Sequence, residues 1–378
     1  MNERSVPHIL YSEVKQISSF IEEIIKEAHK VEASDIHIDQ LGDHVLIRMR
    51  IDGILLEHRT LESSLLPLIV GRIKILSGLR GDTHDKSQDG RFSFERKGEF
   101  LLDVRVSIAP TYYGENIVLR IIYQAGQKPK RLHELGMDIN NEGAVEHTLS
   151  RPQGLIIVAG PTGSGKTSTL YSMLNLIVPT GRMIVSLEDP VEYPLSGVRQ
   201  IQLKQENGYG FKEALRGILR QDPDVIMLGE MRDKETASIA INIALTGHLV
   251  MTSLHAEDAL HVIPRLIDMG IDPYLLSATL RLVIAQRLVR KIDVSAGILN
   301  DKGKDSNREG TIQYKGREGV FEVLHVTDKL KKSFFKKPTV AELKTLAKKE
   351  GFISMKEFCV EKIDQGITTE EELRRVFA

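Results

Sequence analysis

The chain has 378 residues, which is too long for one ordinary hydrophobic core and suits two domains or slightly more. Apolar residues make up 41% and charged residues 27% of it, a balance typical of a packed globular protein and not of a fibre or a disordered tail. The formal charge of −1 gives no overall attraction to nucleic acid or anionic lipid, although a local basic patch is compatible with it.

A cytoplasmic protein is expected from the cysteine content and the hydropathy. The single cysteine, Cys359, cannot form an internal disulfide, and its simplest role is that of a small apolar residue in a C-terminal helix. The first residues lack the apolar core of a signal peptide, and no run reaches the ~18 apolar residues of a membrane span. Any role at a membrane is therefore expected to be indirect.

The N-terminal part, residues 1–126, is predicted to be an α+β domain. Apolar residues at helical spacing predict helices over Ser12–Lys30 and Leu61–Leu79. Asp52-Gly53 and Gln88-Asp89-Gly90 are predicted turns. Alternation of apolar and polar residues predicts strands at Ile36–Ile38, His44–Arg50, Ile54–His58, Arg91–Arg96, Leu101–Ile108 and Ile117–Ile122.

A polar linker, Gln124–Arg131, precedes a change of pattern to alternating strands and helices. This alternation predicts an α/β domain with a doubly wound, mainly parallel sheet over residues 127–300. Its predicted strands are Leu155–Ala159, Met183–Leu187, Val225–Leu228 and Leu249–Ser253.

Residues 301–378 are predicted to form a small helical C-terminal part. The polar segment Ile298–Lys315 is predicted to be a solvated loop. Short amphipathic helices are expected after Asp328, most clearly at Ser354–Asp364 and Thr369–Val376. Thr369 and Glu372 have the spacing of a capping box.

The residues Gly160-Pro161-Thr162-Gly163-Ser164-Gly165-Lys166-Thr167 fit the phosphate-loop pattern G-x-x-x-x-G-K-[ST]. They follow a predicted strand and lead into a helix predicted over Ser168–Leu176, so both contextual requirements of the motif are met. The loop and Ser168 are candidate nucleotide-binding residues: Lys166 would reach the β- and γ-phosphates, and Thr167 would bind Mg²⁺. A purely structural glycine-rich turn is the alternative.

Acidic residues follow two further predicted strands. Glu230 ends the apolar run that begins at Val225, as in a Walker B segment with Glu in place of Asp, and could hold the metal's water or polarise the attacking water. Glu188, Asp189 and Glu192 follow the strand that ends at Leu187, where parallel sheets bind ligands. An acidic surface turn is the alternative. Candidate metal ligands are Thr167, Glu230 and Asp189.

His255 lies just beyond the predicted strand Leu249–Ser253, where a sensor of the γ-phosphate would lie. A single histidine is more often an ordinary core or surface residue. The 12 histidines show no metal-ligand spacing, so zinc is not expected.

Four segments in this order, GPTGSGKT, SLEDPVEY, DPDVIMLGEMRD and TGHLVMTSLHAEDA, resemble the Walker A, Asp box, Walker B and His box of the secretion ATPase superfamily of type II secretion and type IV pilus systems. In the N-terminal half EASDIHI, RMRIDGIL, QDGRFSF and DVRVSIAPTYYGENIVLRII resemble the PAS-like domain that precedes the motor of assembly ATPases. AQRLVRK and GREGVFEVL extend the similarity. The resemblance implies a RecA-like P-loop ATPase domain preceded by a PAS-like domain.

The resemblance also implies roles for individual residues. Glu192 matches the Asp-box glutamate, the general base for the attacking water, and Glu230 matches the Walker B glutamate. His255 matches the residue that couples nucleotide state to domain position. Arg91, Arg105 and Arg120 match arginines of the family's N-terminal domain. In the family, these arginines contact a nucleotide of the same subunit or of a neighbouring one. Surface ion pairing is the alternative for each arginine.

The implied protein is a homo-hexameric, ATP- and Mg²⁺-dependent motor, cytoplasmic and peripherally associated with the membrane beneath a polytopic platform protein. The cysteine pairs of larger assembly ATPases are missing from KIDVSAGILNDKGKD, which supports the absence of zinc. The chain most resembles the Gram-positive competence pseudopilus ATPase, which powers DNA uptake. A retraction or conjugation-type ATPase, a RecA-like DNA translocase and a poorly hydrolysing ATP-binding scaffold are the alternatives. No direct nucleic-acid binding is expected, because no basic–aromatic stripe accompanies the neutral charge.

Overall fold

The computed structural model describes residues 8–96, 100–123, 129–203, 211–294 and 313–378. The chain divides into two compact units, residues 1–126 and 127–378. No helix in the described ranges is both long enough and apolar enough to cross a membrane.

The first unit is a six-stranded antiparallel sheet with two helices on one face, in the strand order β3-β2-β1-β6-β5-β4. Isoleucines of both helices pack against the inward side chains of the strands and form one core. The other face of the sheet is polar, because side chains alternate along each strand. The elements are α1 (His8–Lys30), β1 (Asp35–Leu41), β2 (His44–Ile51), β3 (Ile54–Glu62), α2 (Leu66–Leu76), β4 (Gln88–Arg96), β5 (Phe100–Thr111) and β6 (Gly114–Tyr123).

Two predictions for this unit are wrong in detail. The predicted turn at 88–90 is the beginning of β4, paired with residues 106–108 of β5. Gly90 serves close packing there, since a Cβ would lie 2.9 Å from the Leu79 side chain and 3.0 Å from that of Ser77. The helix predicted from Leu61 begins only at Leu66, because Leu61 still pairs with Val45 of β2.

The second unit contains a seven-stranded sheet in the order β13-β12-β7-β11-β10-β8-β9, in which only the edge strand β13 is antiparallel. Leu155 and Ile157 of β7 enter one core and Ile156 and Val158 enter another, so both faces of the sheet are covered. This is the doubly wound α/β fold that the sequence predicted. Its elements up to the last strand are α3 (Ile139–Leu149), β7 (Gly154–Ala159), α4 (Lys166–Ile177), β8 (Ile184–Glu188), β9 (Arg199–Gln202), α5 (Phe211–Leu219), β10 (Val225–Leu228), α6 (Lys234–Leu245), β11 (Leu249–Leu254), α7 (Ala259–Asp268), α8 (Pro273–Thr279), β12 (Leu280–Ile292) and β13 (Tyr314–His325).

The strand β13 was not predicted, and it shows that the part after residue 300 is not helical throughout. Its apolar run is interrupted by Glu322, which is buried and accepts the backbone N–H groups of Ala259 (2.5 Å) and Met355 (2.9 Å). Burial raises the pKa of Glu322 to about 7. The predicted loop from Ile298 lies outside the described residues as far as residue 312, and its last residues, Tyr314 and Lys315, begin β13.

Four helices complete the unit: α9 (Asp328–Phe334), α10 (Val340–Lys348), α11 (Met355–Asp364) and α12 (Glu370–Phe377). Half of the predicted capping box is present at the start of α12. The Thr369 hydroxyl accepts a hydrogen bond from the N–H of Glu372. The Glu372 carboxylate accepts hydrogen bonds from Arg290 and Arg375, and not from the backbone N–H of Thr369 as a capping box requires. Cys359 is buried in α11, and burial raises the pKa of its thiol to about 11.

Candidate nucleotide-binding and catalytic site

The parallel strands of the second unit end at one edge of the sheet. Ala159 lies opposite Leu254, and Leu228 lies opposite Leu187 and Thr252. The carboxyl ends of β7, β8, β10 and β11 are therefore neighbours, at the edge where parallel sheets bind ligands. The glycine-rich loop, the acidic segment, Glu230 and His255 follow these four strands, so the fold brings the predicted site residues of this unit to one edge.

The loop of residues 160–165 has a backbone that glycine accommodates. Gly163 and Gly165 have φ values of +77° and +90°, in the left-handed region. A Cβ on Gly160 would lie 2.4 Å from the Ser164 hydroxyl. Gly165 is the N-cap residue of α4, and it has no side chain that could accept hydrogen bonds from the first N–H groups of the helix. These N–H groups and the positive end of the helix fit the negative oxygens of a phosphate.

Lys166 begins α4 and turns back over the loop. Its Nζ donates hydrogen bonds to the carbonyl oxygens of Gly160 and Pro161, both at 2.9 Å. Burial lowers the pKa of Lys166; the charge of Glu230 opposes this shift and that of Arg287 adds to it. The ammonium group is thus already placed at the mouth of the loop, held by bonds that an anion could replace.

Ser164 adds an observation that favours a ligand at this loop. Its hydroxyl is buried and has no hydrogen-bond partner among the residues that the structure describes. A buried polar atom without a hydrogen-bond partner costs free energy, and a bound ligand can supply that partner. Together with the glycines and the free N–H groups of α4, it makes the loop fit a nucleotide phosphate.

Glu230 is held in place by the ends of neighbouring strands. The N–H of Gly229 donates to the Leu187 carbonyl at 2.9 Å, and the Ser253 hydroxyl donates to the Gly229 carbonyl at 2.6 Å. The Glu230 carboxylate then pairs with His255 Nε2 at 2.8 Å. The Walker B and His-box candidates, which are 25 residues apart in the chain, are thus in direct contact.

The sequence analysis assigned no role to Arg232, which the structure brings to the same carboxylate. Its Nε lies 3.0 Å from Glu230 Oε2, and this hydrogen bond raises the pKa of Arg232. The charge of Asp189 raises the pKa of Arg232 further. Arginine two residues after the Walker B glutamate, in LGEMRD, is the signal that could have found it.

The acidic segment after β8 separates into residues with different environments. Glu188 is buried, whereas Asp189 is exposed and Glu192 is half-buried. Glu188 accepts hydrogen bonds from the hydroxyls of Tyr171 and Ser186, both at 2.5 Å. It is therefore a buried structural carboxylate, which distinguishes it from Asp189 and Glu192 of the same acidic segment.

Tyr171 in α4 connects this carboxylate to the predicted general base. Its hydroxyl donates to Glu188 and accepts the backbone N–H of Glu192 at 3.3 Å. Burial raises the pKa of Tyr171, and the neighbouring charge of Glu188 raises it further. The helix that follows the phosphate loop thereby positions the backbone of the candidate catalytic glutamate.

We expect Tyr171→Phe to lower the free energy of unfolding by about 1–3 kcal/mol, because the buried Glu188 carboxylate loses a donor and the Glu192 N–H an acceptor. The shift of the urea unfolding midpoint of the full chain measures this loss. Tyr274→Phe removes an exposed hydroxyl and is the matched control. A Tyr171→Phe change within the ~0.5 kcal/mol typical of surface substitutions would contradict the assigned role.

The predicted arginines of the first unit lie in a single row. Arg91 is opposite Arg105, and Arg105 is opposite Arg120, on three neighbouring strands. Residues directly opposite each other project from the same face, and like charges in that arrangement destabilise a sheet. Three guanidinium groups on one face of the sheet fit recognition of an anion. Arg120 also donates to buried Asp35 at 2.9 Å, so ion pairing accounts for part of its role.

The oxygen atoms available for a metal are of the kind that Mg²⁺ prefers. Thr167, Asp189 and Glu230 offer a hydroxyl and two carboxylates, and Mg²⁺ in nucleotide sites commonly takes few protein ligands besides phosphate. No group of three or more His, Cys, Asp or Glu residues that could hold a metal occurs within the described ranges. The expectation that zinc is absent stays a prediction.

The doubly wound sheet, the glycine loop after its central strand and the lysine at the start of α4 define a P-loop nucleotide-binding protein. A family model described as type II/IV secretion system protein matches residues 11–375. The chain belongs to this family, and it is an ATPase of the type II secretion and type IV pilus superfamily.

Two relatives illustrate the similarity in sequence. The type II secretion system protein HxcR of Pseudomonas aeruginosa is 39% identical over 94% of this chain and 76% of its own length. The type IV pilus assembly ATPase PilB of Thermus thermophilus is 37% identical over 98% of this chain. The chain spans 44% of the length of that protein.

Solved structures share the fold. The ATPase DotB of Legionella pneumophila is 23% identical and superposes with a TM-score of 0.73 over 94% of both chains. The pilus retraction motor PilT, crystallised with bound ADP, is 28% identical and superposes with a TM-score of 0.64 over 93% of this chain and 95% of its own.

Proposed function

We propose that this chain is the ATP-hydrolysing motor subunit of a machine that assembles a type IV pilus-like pseudopilus, for competence and DNA uptake or for type II secretion. The observation that carries the proposal is the meeting, at one sheet edge, of the phosphate loop with the Glu230–His255 pair. Relatives named as pilus assembly and type II secretion proteins, 37% and 39% identical, support it.

In the proposed reaction the chain's own residues bind, orient and activate. Lys166 and the loop N–H groups hold the β- and γ-phosphates, and Mg²⁺ near Thr167, Asp189 and Glu230 would supply charge neutralisation. Glu192 accepts the proton of the attacking water. Glu230 orients that water or the metal's water. His255, paired with Glu230 at 2.8 Å, registers the state of the γ-phosphate.

The proposed assembly is a homo-hexamer at the cytoplasmic face of the membrane, beneath a polytopic platform protein. Hydrolysis would move the N-terminal domain against the motor domain, so that the platform adds pilin subunits. The row of Arg91, Arg105 and Arg120 would stabilise phosphate charge within or across subunits, which would make hydrolysis depend on the ring. Direct binding of nucleic acid is not part of the proposal.

Three other functions are less well supported. A retraction or conjugation-type ATPase is supported by the likeness to PilT, but that likeness is weaker in sequence, at 28% identity, than the likeness to assembly relatives. A RecA-like DNA translocase is opposed by the near-neutral charge and the 5% aromatic content. A poorly hydrolysing ATP-binding scaffold is opposed by the presence of both Glu192 and Glu230.

The test is the ATPase rate per subunit as a function of protein concentration, with and without DNA. We expect the rate per subunit to rise with concentration and to be unaffected by DNA, because active sites completed between subunits form only in the assembled ring. A rate that is flat in concentration and stimulated by DNA would replace the pilus-motor proposal with a translocase.

A further inference from the structure

Gln286 is a buried polar side chain beside the phosphate loop, in a segment to which the sequence motifs assign no chemistry. Its neighbour Ala285 in β12 lies opposite Ala159, the last residue of β7. Gln286 therefore stands one residue past the end of β7, beside Gly160, where the loop begins. Its residue exposure is only 2%, so its amide has to find partners within the protein.

Both ends of the Gln286 amide are satisfied, and they connect two parts of the nucleotide site. Nε2 donates to the Ser164 carbonyl oxygen at 2.5 Å, and the Thr169 hydroxyl donates to Oε1 at 2.5 Å. A carbonyl can only accept, so the Ser164 oxygen decides which end of the amide faces the loop. Gln286 thereby joins the loop to the first turn of α4.

The bond to Ser164 also determines where the next backbone N–H points. A trans peptide unit is planar, and its C=O and N–H groups point to opposite sides. Because the Ser164 carbonyl faces Gln286 on β12, the N–H of Gly165 is directed to the other side of the loop. Backbone N–H groups are what a phosphate loop offers to its ligand. One side chain on β12 therefore sets the direction of a phosphate-binding donor.

Gln286 also limits which residues the loop can contain. A Cβ on Gly165 would lie 2.7 Å from Gln286 Nε2, and a Cβ on Gly160 would lie 2.8 Å from the Gln286 carbonyl oxygen. Real Cβ atoms do not approach so closely, so two glycines of the motif are required in part by this strand. The Gln286 carbonyl is itself held by Arg287, whose Nη1 donates to it at 3.2 Å.

We propose that Gln286 is a positioning residue for nucleotide binding, which keeps residues 160–165 in the conformation that accepts phosphate. A loop held in its binding conformation loses less entropy when the ligand binds, so the residue that holds it contributes to affinity without touching the nucleotide. The inference rests on the proposed assignment of residues 160–167 as the phosphate loop.

The experiment compares Gln286→Leu and Gln286→Glu with the wild-type full chain, measuring Kd and KM for ATP, kcat, and the unfolding temperature without nucleotide. Leucine removes both hydrogen bonds. Glutamate keeps the acceptor for Thr169 but loses the donor to the Ser164 carbonyl and faces it with negative charge. We expect both variants to raise Kd and KM about tenfold or more, with a smaller change in kcat.

Thr169→Val removes the hydrogen bond to Gln286 Oε1 and preserves the shape of the side chain at position 169. It is expected to raise Kd in the same direction but less, because the bond to Ser164 remains. Gln365→Leu, at an exposed glutamine after α11, is the matched control and is expected to leave Kd unchanged. If neither Gln286 variant folds, Thr169→Val alone decides, and a wild-type Kd in it overturns the proposal.

Folded Gln286 variants with a Kd within about twofold of wild type would overturn the inference, as would a lower kcat at unchanged KM. Lys166→Ala separates this failure from that of the site assignment. If that variant loses ATP binding or hydrolysis while the Gln286 variants bind normally, only the role of Gln286 is wrong. If the Lys166 variant is as active as wild type, the phosphate-loop assignment fails and the inference with it.

Discussion

Lys166→Ala is expected to reduce ATP hydrolysis about 100-fold or more, to the background of the assay. The reason is that its Nζ, which donates to the Gly160 and Pro161 carbonyls, is the cation placed at the mouth of the loop. Alanine removes this positive charge, which would stabilise the charge that develops on the transferred phosphoryl group. Phosphate release by the purified variant, at saturating ATP and a concentration at which the wild type assembles, measures the effect.

Lys344→Ala is the matched control for this variant, because Lys344 is an exposed helical lysine in α10. It is expected to hydrolyse ATP at the wild-type rate. The unfolding temperature of Lys166→Ala should stay close to that of wild type, because the lysine's bonds to the loop are partly exposed to solvent. Steady-state hydrolysis retained in the Lys166 variant would sink the phosphate-loop assignment.

The central strands and the phosphate loop could be predicted because their signals are local. Each strand of the second unit that carries a motif is short, mainly apolar and buried on both faces. The predicted strand Val225–Leu228 has the same bounds as β10. The loop motif contains in sequence the glycines that its backbone needs in space. Both signals depend only on residues that are close together in the sequence.

What the sequence did not predict depends on contacts between distant residues. In the sequence, nothing distinguishes Glu188 from the acidic residues that follow it. In the structure, it accepts a hydrogen bond from Tyr171, which lies 17 residues earlier in the chain. Gln286 lies 122 residues after Ser164, and only the pairing of β12 with β7 brings them together. Such pairings are set by tertiary packing, which a motif or a hydropathy pattern does not record.

The arginine row illustrates the same limit in the first unit. Arg91, Arg105 and Arg120 were chosen singly by resemblance, and spacing along the chain does not reveal that they are opposite one another. Strand register decides it, since a shift by one residue would send an arginine to the apolar face. The two-residue alternation predicted the strands, and the structure adds which charges lie opposite one another on them.

Glu230→Gln is expected to bind ATP with an affinity within a few-fold of wild type and to turn it over about 100-fold more slowly. Glutamine preserves the size of the side chain but removes the charge that faces His255 Nε2 at 2.8 Å and Arg232 Nε at 3.0 Å. The phosphate loop is unchanged, so binding should persist. The neutral amide can neither polarise the attacking water nor hold the metal's water as a carboxylate does.

Retention of labelled ATP after rapid gel filtration distinguishes a variant that binds ATP without hydrolysing it from a variant that has lost ATP binding. Wild-type protein should release product, whereas the Glu230 variant should carry unhydrolysed ATP through the column. Glu361→Gln, at an exposed glutamate of α11, is the matched control and should behave as wild type. ATP retained no longer than by wild type would count against the Walker B role. If the variant also loses ATP binding, Glu230 contributes to the binding conformation of the phosphate loop. Such a contribution is possible because the charge of Glu230 acts on Lys166.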